Sequence, residues 1–193
     1  MEKYYVEYDL RDGYIHQWLY AGPQAINVEN LEQFQGEDYK LQIARHYFTE
    51  DTLIDHEPVE TVTFSLDGAD LRWRAFRTLD DHFVDLTAFY HTTHYLRSWA
   101  FTGLLSAGEQ QVQMVLTTNG PADVWINGAH VHRQEHFSHQ DPRSVSFDAT
   151  LQDGLNEIMV RFEEVAAREC PYAMALQVQG GEYPERPVRV PVV

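Results

Sequence analysis

The chain has 193 residues, 44% of them apolar and 13% aromatic, enough to fill one hydrophobic core and too many for a disordered chain. Fourteen basic residues stand against thirty acidic ones, a formal charge of −16, and so acidic a surface repels phosphate backbones and anionic lipid. One cysteine, Cys170, excludes an intrachain disulfide and a zinc site built on several thiolates. The first twenty residues carry charges throughout and lack the apolar block of a signal peptide, and no stretch approaches the ~20 apolar residues of a bilayer span. These features predict a cytoplasmic protein with neither nucleic acid nor membrane as partner.

In chain order, Tyr4–Leu10 and Tyr14–Ala21 read as strands, the second stopped by Gly22-Pro23. Apolar residues at 31, 34, 41, 44 and 48 have roughly helical spacing, and with Gly36 interrupting them the prediction is a short helix over Asp38–Phe48. Val59–Leu66, Leu71–Arg77, Phe83–Phe89 and Arg97–Leu105 are further strand candidates. From Gln111 the period becomes a clear two. Val112, Met114 and Leu116 alternate with polar residues. Asp123–Asn127 follows and turns at Asn127-Gly128, a pair that tolerates the positive φ of a type I′ hairpin. Ser144–Leu151, Asn156–Phe162 and Ala173–Val178 alternate in the same way. About ten strands with polar turns predict an all-β antiparallel sandwich of two sheets, a jelly roll with one short helix in its N-terminal half. Residues 180–193 contain three prolines and no burying pattern. They read as an extended linker leaving a single domain of residues 1–179 toward a downstream one.

The order of elements from Trp99 onward resembles the galactose-binding-like jelly-roll domains attached to bacterial glycoside hydrolases. The resemblance is carried by the aromatic-rich Trp99–Leu105, the alternating Val112–Leu116 and the VWING hairpin at Val124–Gly128. Leu151–Asn156, of the form L-x-x-G-x-N, and Ile158–Phe162 complete it, and WLYAGP at 18–23 is similar to the opening of such modules. The likeness covers roughly 97–178. It implies a non-catalytic accessory module that binds glycan or buttresses a neighbouring catalytic domain of the same polypeptide. Some members carry a structural calcium, but no acidic loop here matches its ligands, so no cofactor and no metal are expected. Oligomerisation as an interaction module is a third possibility. Trp125, inside a strand, is expected to be a packing residue rather than a sugar platform.

Sugar rings pack their C–H faces on aromatic rings and need directional partners for their hydroxyls. Two segments offer both, each expected to be a loop: Tyr90, His91, His94 and Tyr95, and His136, Asp141 and Arg143. Tyr90 with His91 is the favoured pair. A competing reading takes His130, His132 and Glu135 as a metal site, because H-x-H puts both imidazoles on one face of a strand. That string is similar to the cupin metal motif, although the cupin glycine spacing and a second histidine motif are missing. The acidic pairs Asp80-Asp81, Glu50-Asp51 and Glu163-Glu164 read as solvated faces, since adjacency in sequence does not give two carboxyls the separation that glycosidic cleavage requires. No nucleophile elbow, phosphate loop or dinucleotide fingerprint is present, and the chain alone is expected to hydrolyse no glycosidic bond.

Overall fold

The computed structural model describes residues 4–49, 58–183 and 185–192. Fourteen strands and one α-helix are formed among them: β1 (Tyr4–Tyr8), β2 (Gln17–Asn27), α1 (Tyr39–Tyr47), β3 (Thr63–Leu66), β4 (Ala69–Arg72), β5 (Arg74–Arg77), β6 (Val84–Asp85), β7 (Ala88–Ser106), β8 (Gln110–Thr118), β9 (Ala122–Ile126), β10 (Ala129–Gln134), β11 (Arg143–Leu151), β12 (Gly154–Cys170), β13 (Ala173–Gln179) and β14 (Val188–Val192). All named pairings are antiparallel. The larger sheet runs β1-β14-β7-β12-β9-β10, with β2 also paired to β7 and β5 paired to β2; the smaller runs β11-β8-β13-β6, and β3-β4 form a separate hairpin.

The alternation of the second half is used as the sequence predicts. Val112, Met114 and Leu116 of β8 and Met174, Leu176 and Val178 of β13 are buried, and they join Ala100, Leu104, Val124, Ile158 and Val160 of the larger sheet in one continuous core. The predicted turn forms, with Asn127 at φ 51° and Gly128 at φ 78°. Asn156 organises the neighbouring turn: its Oδ1 accepts the Gln152 N–H at 2.8 Å and its Nδ2 donates to the Gln152 carbonyl at 2.9 Å. Trp125 is 5% exposed and part of the core, the packing role expected of it.

Three local expectations are corrected. The second strand does not stop at Gly22-Pro23; β2 continues to Asn27 through a register shift between Ala21 and Gln24. At Gly22, φ is 115° and a Cβ would stand 2.8 Å from Ser98 Oγ, so only glycine lets β2 lie this close to β7. Residues 89–95, expected as a loop, lie in the first half of β7, paired with the end of β12. The tail, expected to leave the domain as a linker, supplies β14, which joins β1 to β7 and buries Val188 and Val190. Prolines suppressed the reading of a strand there, yet Pro184 and Pro187 precede β14, and Pro191 lies beyond the two residues that pair with β7.

Helix α1 forms where predicted. Arg45 and His46 lie in its last turn, where positive charge suits the helix dipole. Its apolar residues Ile43 and Ala44 pack with Val28, Tyr95 and Val165 in a second, smaller cluster. The helix therefore covers the part of β7 and β12 that the smaller sheet does not reach.

A cleft at one end of the sandwich

Cross-strand register places charged residues side by side on β7, β12, β9 and β10. Arg97 faces Glu163, and Trp99, Arg161, Asp123 and Arg133 stand in one row. Asp123, 3% exposed at its side chain, accepts from Arg161 Nη2 and Arg133 Nη1, each at 2.7 Å, and lies 2.9 Å from His130 Nε2. Arg161 Nη2 is also 2.9 Å from Glu163 Oε1, and both side chains are fully buried. Arg97 pairs with Asp67 and donates to Thr49 Oγ1 at 3.0 Å. Phe48, just after α1, lies over the row, its ring centre 4.4 Å from the Arg133 guanidinium and 4.8 Å from that of Arg161.

The pair Glu163-Glu164 is thus buried, not solvated. Its two side chains point to opposite faces of a central strand, and both faces are covered. Glu164 receives Lys40 Nζ at 2.9 Å and the Val165 N–H at 2.9 Å. Burial pushes both carboxyls above the usual range, against the pull of Arg161 on Glu163 and of Lys40 on Glu164. Asp80-Asp81 is exposed as expected, and Glu50-Asp51 lies outside the described residues.

Next to this network, a cleft of about 430 Å³ opens between the start of α1 and residues 135–139. Tyr39, Leu41 and Phe137 give it apolar surface; Glu37, Asp38, Glu135, His136 and His139 give it polar groups. Lys40 lies along its floor, with Nζ 5.3 Å from the centre of the Phe137 ring. Three other clefts, of about 400 to 620 Å³, have no aromatic side chain in their linings.

His136 faces the Thr118 carbonyl at 3.1 Å through Nε2. A carbonyl only accepts, so Nε2 carries the proton. Burial, with a smaller contribution from Arg143, holds this imidazole below its ordinary pKa, so it is neutral near pH 7 and Nδ1 is left as an acceptor. Glu135 is held ionised, below the ordinary carboxylate range, chiefly by its bonds to Arg45 and Arg133.

Of the residues predicted for a site, His136 lines this cleft and Arg143 stands near it, at the start of β11 opposite Thr118. Asp141 is exposed in the turn before β11 and does not line it. Tyr90, His91 and His94 lie on the projecting arm of β7 and β12 instead of a loop. Tyr90 and His94 share one face, with ring centres 5.3 Å apart, while His91 meets the exposed Phe89 on the other. Tyr95 is fully buried and stacks on Tyr47 under α1 at 5.6 Å, so it offers nothing to a surface ligand.

The histidines predicted to share a strand face do not converge. A register shift falls between His130 and His132. His130 turns to Asp123, while His132 stacks flat on Phe147 of β11 at 4.2 Å and meets Gln134. Glu135 is taken by Arg45 and Arg133. Among the described residues, no three His, Cys, Asp or Glu side chains are grouped to hold a metal ion. Phe137, an aromatic in the segment His130–Arg143 that the sequence offers to a sugar, lines the cleft beside His136; Tyr39 and Lys40 carry no such signal in the sequence.

No family model matches the chain, and no curated protein matches it. Solved structures to which it is similar include β-sandwich carbohydrate-binding domains. One is a family 35 carbohydrate-binding module from an environmental isolate: 16% identity, 51% of this chain and 72% of that one covered, TM-score 0.35. A second is a family 35 module from Clostridium thermocellum: 11% identity, 52% and 94% covered, TM-score 0.34. A third is the PA14 sugar-binding domain from an RTX adhesin: 14% identity, 90% and 96% covered, TM-score 0.37. No helix among the described residues is long and apolar enough to cross a membrane. The chain is a nearly all-β antiparallel sandwich with a single short helix.

Proposed function

We propose that this chain is a carbohydrate-binding module and that a glycan seats in the cleft between α1 and residues 135–139. The observation that carries the reading is the pairing of two aromatic rings, Tyr39 and Phe137, with the free acceptor of a neutral His136 in one cleft. Rings supply the stacking surface for a sugar, and the imidazole and carboxylates supply hydroxyl partners. A site this open binds at roughly 0.1–1 mM. In the same reading the chain serves a neighbouring catalytic domain of the same polypeptide by holding it on its substrate, which the motifs over 97–178 support.

Titration of the isotope-labelled protein with neutral oligosaccharides, followed by NMR, tests this. Saturable shifts at Tyr39, His136 and Phe137, lost in Phe137→Ala, are expected. Shifts confined to Tyr90 and His91 would move the site to the arm of β7. No shift with any glycan would overturn the reading.

A further inference from the structure

Behind the cleft, Lys40 of α1 meets two side chains of β12. Lys40, from the first turn of α1, places Nζ 3.5 Å from Cys170 Sγ and 2.9 Å from Glu164 Oε1. Cys170 ends β12 and is 4% exposed. Glu164 is fully buried, and among the described residues its second carboxylate oxygen has no hydrogen-bond partner. The Lys40 side chain lines the cleft with 17% of its surface exposed, and its ammonium reaches the buried sulfur. None of these three groups is needed for the proposed sugar contacts.

We propose that Lys40 and Cys170 are a redox-sensitive pair that hydrogen peroxide joins covalently through one oxygen atom, Nζ–O–Sγ. In the first step the thiol sulfur attacks peroxide: an S–O bond forms, the O–O bond breaks, and water leaves a sulfenic acid. The lysine ammonium gives one proton to Glu164, which frees the amine. In the second step the amine nitrogen and the sulfenic oxygen each lose a hydrogen and form the N–O bond. A second peroxide is reduced to two waters, so thiol plus amine plus two peroxides give the bridge and three waters. Glu164 is placed as the proton acceptor because it touches both partners of the reaction and burial raises its carboxyl. Burial also raises the Cys170 thiol, and Glu164, against the effect of burial, raises Lys40, so the reaction calls for excess peroxide. Exposed cysteines oxidise onward to sulfinic and sulfonic acids; here the amine stands where it intercepts the sulfenic acid first. The bridge would tie the first turn of α1 to the end of β12 and draw Lys40 away from the Phe137 ring.

The test is mass spectrometry of the intact folded protein after treatment with excess hydrogen peroxide, followed by proteolysis. The wild type is expected to gain about 14 Da, one oxygen less two hydrogens, to yield a cross-linked peptide pair containing Lys40 and Cys170, and to return to its original mass with dithiothreitol. Lys40→Arg, which keeps the charge on Glu164, and Cys170→Ala are each expected to abolish the link. Urea-unfolded wild type should not form it. Recovery of Cys170 as sulfinic or sulfonic acid with Lys40 unmodified overturns the proposal, as does a folded wild type left unchanged by peroxide. Equal cross-linking in urea overturns it too.

Discussion

Asp123 is the carboxylate on which Arg161, Arg133 and His130 converge, so Asp123→Ala isolates the energetics of the buried row. Two of those partners count for little. His130 and Arg133 are 47% and 24% exposed at their side chains, and water takes over part of their solvation. Arg161 is 0% exposed and has nowhere to turn. Removing one partner of a buried pair costs about 3–5 kcal/mol because the other charge stays desolvated. Arg161 keeps Glu163 at 2.9 Å and the Thr49 carbonyl at 3.3 Å, which places the expected loss at the low end, about 3 kcal/mol. For a chain of this size that is a fall in Tm of roughly 6–12 °C. The assay is urea unfolding of the wild type, Asp123→Ala, Arg161→Met and the double variant. Replacing both members should recover more than about 1 kcal/mol relative to the sum of the single costs, since no unmatched guanidinium then remains and Glu163 can protonate. A single-variant cost under about 1 kcal/mol, or strict additivity, would refute the idea that Arg161 depends on Asp123.

Gly128→Ala should cost about 1 kcal/mol in the same unfolding assay, because φ is 78° there and no atom lies within 4 Å of the new Cβ, so only backbone preference is felt. Val188→Asp should cost about 3 kcal/mol or more, since Val188 is 1% exposed where β14 meets β7; a neutral effect would show that the tail is not part of the fold. His16 meets Thr78 Oγ1 at 2.7 Å and His82 Nδ1 at 3.1 Å, and burial, then the neighbouring His82 and Arg11, hold its pKa below 6.5 against the opposing pull of Asp80. The unfolded chain therefore binds the proton first as pH falls, and stability contributed above pH 6.5 is lost below it, by at most about 1.4 kcal/mol per pH unit. Urea midpoints between pH 8 and 5 should show a shallower decline in His16→Gln than in wild type, and parallel curves would contradict the assignment.

The alternating strands of residues 111–178, the Asn127-Gly128 turn and the Asn156 turn were legible because each is written in consecutive residues: a period of two, a pair tolerant of positive φ, a side chain that bonds its own loop. The short helix was legible from its spacing. The candidate site was legible only in part. His136 was visible as a histidine beside an aromatic, but its position in the cleft depends on α1, which lies about a hundred residues earlier in the chain.

What the sequence alone determined is which residues alternate, where the chain turns, and that the fold is a sandwich. It did not determine whether the second face of a strand meets water. Glu163 and Glu164 sit on opposite faces of β12, and on an edge strand one of them would be solvated. Here Arg161 meets Glu163, and Lys40, reaching from the first turn of α1, meets Glu164, so both are buried. Arg97 and Arg161 are buried for the same reason, because Asp67 and Asp123 are brought to them from distant segments. Tail residues Val188 and Val190 became strand because β1 and β7 offered them unpaired edges. A local pattern records a residue's own preference; burial of charge and capture of a strand depend on partners far away in the chain, and only the tertiary structure supplies those.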